Sequence, residues 1–291
     1  MLRMKILPAF LFLLLLVSCN NSSDNPKPLP ARINFTFTHF ADGQPLVFDQ
    51  MIYTNAAGNQ YMVNEIQYFV SDFKLHRSDG TFQLIDDWKD IHYVDTDLPE
   101  TQVWQVFDDI EPGNYEKISF TFGISEEKNQ SLMYVNPPER DMFWPEVLGG
   151  GYHYMKLNGK WLDESQQALP FAFHLGIGQI YSAGASNPIL SNPVSGKCQR
   201  CCTIYKGSAT NPDSIIGFVQ NYFEVQLPNS AFAINGGDTL DFEIRMNVQN
   251  WFQNPHIYNH NYWGGSIMQK QDAMKMGCDN GQADVFTVLI K

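Results

Sequence analysis

The sequence predicts an all-β protein, an antiparallel β-sandwich with long loops and a few short helical turns. Three observations predict it. Apolar residues recur with period two, aromatics concentrate inside those runs, and Gly, Pro, Asn and Asp punctuate the gaps between them. The runs follow in order: INFTFTHF (33–40), EIQYFVSDFKLH (65–76), KDIHYVDTD (89–97), YEKISFTFGI (115–124), YHYMKLNGKW (152–161), ALPFAFHLGI (168–177), YFEVQLP (222–228), DTLDFEIRMNV (238–248) and ADVFTVLIK (283–291). In the first, Ile33, Phe35, Phe37 and His39 share one parity and Asn34, Thr36 and Thr38 the other. SDG at 78–80 closes the second, and NGGD at 235–238 introduces the eighth. Helical periodicity is scarce; short turns are expected around Glu126–Leu132, Asn250–Phe252 and Gln271–Met276. Many strands with long loops point to two packed sheets. The irregular segments 126–151, 178–220 and 249–282 exceed what a connector needs, so they are candidate binding surfaces.

The N-terminus precedes the fold. Residues 1–18 carry Arg3 and Lys5 and then an apolar run from Ile6 to Val17, the pattern of a secretory leader. Leu16-Val17-Ser18-Cys19 resembles a bacterial lipobox, which predicts cleavage before Cys19 and lipidation of that thiol; an ordinary leader with a chance cysteine is the alternative. The polar, Pro-rich stretch NNSSDNPKPLP then suits a flexible tether over 19–31. Residues 32–291 are expected to form one domain, anchored to a membrane of the bacterial envelope only through the N-terminal lipid.

The chain has 19 basic and 31 acidic residues, a net charge of −12, and loss of Arg3 and Lys5 with the leader leaves −14. Such a surface disfavours nucleic acid and attracts cations. Outside the cytoplasm, Cys198, Cys201, Cys202 and Cys278 are read first as disulfide partners. Cys201 and Cys202 are adjacent, closer than a disulfide prefers, so Cys278 is expected to pair with one member of CQRCC. CQRCC as a thiolate cluster is the other reading.

No metalloprotease, nucleophile-elbow or phosphate-loop pattern accompanies the seven histidines, so no enzyme activity is expected. Strand parity singles out three of them. His39 continues the Ile33–Phe35–Phe37 face, His153 shares parity with Met155 and Leu157, and His174 sits between the small residues Ala172 and Gly176. Each alone reads first as a hydrogen-bonded core or rim histidine. Together at strand ends they point toward a metal, and imidazole suits copper and zinc. Met142, Met155, Met268, Met274 and Met276 could add thioether sulfur, although methionine more often fills core gaps. His256 and His260 are four apart, but Pro255 argues against one continuous helix through them.

Taken in order, FTFTHFADGQPL, EIQYFVSDFKL, IHYVDTD, GNYEKISFTFGIS, MFWP…GGGYHYMKLNGKW, FAFHLGIG and the closing WGGSIMQKQDAMKMGCDNGQADVF resemble the MbnP-like copper-binding proteins over nearly the whole mature chain. The resemblance implies a secreted or lipid-anchored β-sandwich with a mononuclear copper site. It implies His39 and His174 as ligands and His153 as an optional third. It also implies Trp144 as a neighbour open to oxidation to kynurenine, with a haem-peroxidase-type or copper-transfer partner. The chain departs from the family pattern after Trp144, where Pro145-Glu146 and a Gly-rich VLGGG replace a second tryptophan. A second class of function also stands: a surface lipoprotein binding glycan or protein through QNWFQNPHIYNHNYWGG (249–265), with Trp251 or Trp263 as stacking platforms and the histidines structural.

Overall fold

A computed structural model describes residues 29–182 and 214–291. All nine expected runs contain strands. Two sheets form the body. In the smaller, the strand Arg32–Ala41 lies between Thr239–Asn247 and the short Gln44–Pro45; Phe286–Ile290 continues the far side and Val103–Gln105 also pairs with Arg32–Ala41. In the larger, the order is Ala168–Leu175, Met155–Leu162, Gln60–His76, Lys117–Phe122, Phe223–Gln226, with Tyr53–Thr54, Phe82–Ile85 and Ile91–Asp95 on the other edge of Gln60–His76. The 17-residue Gln60–His76 strand can serve so many neighbours because it is irregular twice. Against Met155–Leu162 the register shifts between Asn158 and Gly159, passing over Asn64. Asp72 adopts a positive φ of 52°, and the register against Lys117–Phe122 shifts between Ser71 and Lys74.

One pairing departs from the antiparallel expectation. Arg32–Ala41 runs parallel to Thr239–Asn247 over nine residue pairs, from Arg32↔Thr239 to Phe40↔Asn247. Parallel neighbours need a long crossover, and here the whole larger sheet intervenes in sequence. Local periodicity carries no information about such a partner.

The sheets meet through aromatic rings. Phe35 packs on Phe73 with centroids 4.9 Å apart, and Phe37 on Tyr68 at 6.4 Å. Phe286 reaches Phe120 and Phe122 at 5.4 and 5.3 Å. Offset and edge-to-face pairs of this kind add roughly 0.5–1.5 kcal/mol each beyond area burial.

The three expected helical turns come out differently. Residues 126–132 form turns without a helix, Val248–Phe252 is a 3-10 helix, and Gln271–Ala283 is a full α-helix of 13 residues. That helix packs at close range: a Cβ on Gly277 would stand 2.8 Å from the Phe173 ring, and one on Gly281 2.3 Å from that of Phe223. Among the described residues no helix is long and apolar enough to cross a membrane.

Candidate metal centre

FAFHLG forms most of the strand Ala168–Leu175, with Phe171, Phe173 and Leu175 buried and His174 on the opposite face. Register fixes the surroundings of both faces. His174 pairs with Lys156, and Leu175 with Met155, which in turn pairs with Tyr68. His39 packs its ring edge-on against Tyr68, with centroids 5.8 Å apart. His39 therefore belongs to the interior between the sheets, whereas His174 stands on the outer face of the larger sheet.

His153 joins His174, not His39. The two imidazoles meet edge to face with centroids 5.1 Å apart, and the indole of Trp144 covers His153 at 4.6 Å. The Gly-rich departure from the family pattern builds this meeting. Gly149, Gly150 and Gly151 all have positive φ, at 125°, 71° and 76°, and a Cβ on Gly151 would lie 2.5 Å from Asn129. The turn they make brings the Gly151 carbonyl to the Trp144 N–H at 2.8 Å. Trp144 is fully buried, donates its indole N–H to the Leu148 carbonyl at 3.1 Å, and lies directly on Gly176. Any side chain at 176 would occupy the volume of that ring.

The hydrogen bonds define both tautomers. His153 Nδ1 lies 2.9 Å from the Met142 carbonyl, so Nδ1 carries the proton and Nε2 the lone pair. His174 Nε2 lies 2.8 Å from Asn158 Oδ1, and the Asn158 amide is oriented by its own donation to Glu65 at 3.0 Å. His174 Nε2 is thus protonated, and its Nδ1, buried and without a partner among the described residues, carries the lone pair. Burial lowers the pKa of His153 to about 4; burial, then His153 and Lys156, lower that of His174 to about 3. Both rings are neutral near pH 7, the form that binds metals. Lys156, in register with His174, points its ammonium away to the Asp141 carbonyl.

His39 is buried with Nε2 unpartnered among the described residues, and burial lowers its pKa to about 4. Its register partner Met246 is buried on the same face. His92, which sequence reasoning did not select, shares that interior: it stacks between Phe37 and Trp104 at 5.3 and 5.0 Å. Its Nε2 faces the Thr101 carbonyl at 2.8 Å, leaving a buried Nδ1 without a partner among the described residues. Its position within IHYV, a run apolar on both sides, was the available signal.

Of the three histidines singled out by strand parity, His153 and His174 meet on one side of the larger sheet, and His39 faces its other side. Met142 contributes a backbone carbonyl to His153. His256 binds Asp279 at 3.0 Å, while His260 is enclosed by Phe171, Tyr258, Phe252 and Trp161, so these two make no joint site. Of the two expected stacking platforms, Trp251 is buried and Trp263 is half-buried; Tyr258 in the same segment is buried and Tyr262 exposed. Cys278 is buried with Sγ 3.2 Å from the Asn221 carbonyl, and the remaining cysteines of the expected disulfides, Cys198, Cys201 and Cys202, lie outside the described residues, as do Cys19 and the leader.

A two-sheet sandwich carrying a buried, neutral histidine pair beside a packed tryptophan is the class of protein that these features define. The family model of MbnP matches residues 30–269, and the chain belongs to the MbnP family. The chain is also similar to the solved structure of MbnP from Methylosinus trichosporium, at 14% sequence identity and a TM-score of 0.50, over 89% of this chain and 98% of that one. That likeness is one of fold. No curated protein sequence matched this chain.

Proposed function

We propose that the protein is a copper-binding lipoprotein of the bacterial cell envelope that sequesters copper or hands it on, tethered by lipid at Cys19. The observation that carries this reading is the pair His153 and His174, 5.1 Å apart between centroids, each with one nitrogen committed to a fixed acceptor and a lone pair left over. Histidine ligands commonly donate their second N–H to a carbonyl or amide in this way, which fixes the ring and raises its basicity. Two neutral imidazoles in a partly buried setting suit copper. His39, with its orphaned Nε2 and Met246 beside it, offers a second, interior position for the metal. On this reading copper is held and handed on, not turned over.

Metal analysis of the purified protein tests the reading, with His153→Ala, His174→Ala and His39→Ala compared with wild type. Stoichiometric copper lost in the first two variants and kept in the third supports the outer pair. Loss only in His39→Ala moves the ligands to the interior. Absence of copper uptake by the wild type defeats the proposal. Peptide mass spectrometry over Trp144 reports separately whether its indole is oxidised.

A further inference from the structure

Away from the histidines, three carboxylates converge where the chain beyond Phe82–Ile85 meets the chain beyond Val103–Gln105. Asp86, Asp87 and Asp108 each place a carboxylate oxygen within 4.8 Å of the other two. Proximity alone carries little, since exposed carboxylates often gather without an ion. Asp108 adds a separate fact. It is only 4% exposed, its Oδ1 accepts the backbone N–H groups of Asp86 and Asp87 at 2.9 and 3.2 Å, and its Oδ2 is buried with no hydrogen-bond partner among the described residues.

A buried carboxylate oxygen without a donor is unfavourable unless a proton or a cation meets it. Arg32 is the cation that reaches this loop, and its guanidinium is committed elsewhere. It bonds the Phe107 and Asp108 carbonyls at 3.0 and 2.9 Å and the Asp109 carboxylate at 2.8 Å. Burial pushes the Asp108 carboxyl above the usual range, and Asp87 adds to the shift. The other acidic group, Glu65, Asp95 and Asp97, differs here. Asp95 Oδ2 receives Gln67 and Tyr93, and its Oδ1 receives the Asp97 N–H, so no oxygen of that buried carboxylate is left without a donor.

We propose that Asp86, Asp87 and Asp108 form a calcium-type divalent cation site, independent of the histidines. Three carboxylates with room for water on the exposed side are hard oxygen donors, suited to Ca²⁺ and poorly suited to Cu(I). The ion would join the 86–88 loop to the 107–109 loop, where the exposed Trp88 already touches Phe107 at 6.3 Å between centroids. Extracellular modules of this donor type bind Ca²⁺ with Kd of about 10⁻⁴–10⁻³ M.

Trp88, next to Asp87 in the chain, is a built-in sensitiser for terbium, which stands in for calcium. The full-length protein, purified and freed of metals, should give saturable Tb³⁺ luminescence on tryptophan excitation, displaced by Ca²⁺. Its melting temperature should rise with Ca²⁺. Asp108→Asn should lower the luminescence by about tenfold or more and abolish the Ca²⁺-dependent shift, since it removes the one buried anionic donor. Asp87→Asn, an exposed change that leaves Asp108 in place, should weaken both signals if Asp108→Asn does not fold. His174→Ala should leave both unchanged. Equal luminescence in wild type and both Asp variants would place terbium elsewhere and overturn the proposal. No luminescence and no Ca²⁺-dependent shift in wild type would mean that Asp108 simply keeps a proton, and would overturn it equally.

Discussion

Asn158 and His174 are diagonal neighbours on paired strands, two positions apart in register, and Asn158 Oδ1 lies 2.8 Å from His174 Nε2. Because the same amide donates to Glu65, its oxygen is locked toward the imidazole, and the lone pair of His174 is sent to Nδ1. A strand side chain thus chooses a tautomer.

Asn158→Leu should therefore act on metal affinity more than on folding. We expect copper binding to weaken by about 10–100-fold, the usual effect of removing a supporting partner of a ligating histidine. Asn158→Asp keeps an acceptor and should retain most of the affinity. Competition titration against a copper chelator measures both, with thermal melting as the control for folding.

Gly176→Ala should disturb the Trp144 seat. The added Cβ would stand 2.6 Å from the indole Cε3, so the ring or the strand must move. Overpacking of this kind costs about 1–3 kcal/mol. Denaturant unfolding gives the loss, and near-UV circular dichroism reports the displaced indole.

Acid should destabilise the fold well above the ordinary carboxylate range. His39 and His153 are held near pKa 4 and His92, His174 and His260 near 3, chiefly by burial, against about 6.5 when unfolded. Below about pH 6.5 the unfolded chain binds protons that the folded chain refuses, so stability falls with pH down to about 3–4. Glu243 acts in the same direction at lower pH: hydrogen bonds from Arg245, Lys291 and Thr38 hold it near 2, and its contribution is lost as it protonates. A melting-temperature series from pH 7.5 to 4 should decline monotonically; a flat series would contradict the buried neutral state of these rings.

His260→Phe should leave stability unchanged or raise it. The imidazole is wholly buried among Phe171, Phe252, Tyr258 and Trp161, and neither ring nitrogen has a partner among the described residues. Burying such groups unpaired costs about 1–3 kcal/mol, which an apolar ring avoids, at the expense of the slightly larger volume of phenyl. His260→Ala should instead destabilise through the cavity it leaves. Thermal melting separates the two, and the Phe variant should also show a shallower decline in acid.

Much of the fold is legible in the chain because period-two alternation is a local signal. INFTFTHF and FAFHLG show by parity alone which side chains face inward, and the structure places Phe37 and Phe173 accordingly. The meeting of His153 and His174 was not legible, because it depends on the path of VLGGG, where three positive-φ glycines turn the chain back. Nor did alternation reveal that His39 and His174 take opposite sides of one sheet, since parity fixes a face only relative to its own strand. His92 was passed over because a run buried on both faces has no polar side to mark. Trp251 looked exposed from its Asn-rich neighbours, yet it packs against Phe122 and Phe173 through contacts remote in sequence.

The parallel pairing of Arg32–Ala41 with Thr239–Asn247 has a temporal side. Asn34 and Asp241, bonded across those strands at 2.8 Å, are 207 residues apart. A chain delivered N-terminus first offers its opening strand long before the partner exists. Until residue 239 and its neighbours emerge, Phe35, Phe37 and His39 have one of their two flanking strands missing, and the unpaired edge is open to wrong partners. Non-local closure of this kind is slow. Arg32–Ala41 thus completes its pairing only after most of the chain has been made.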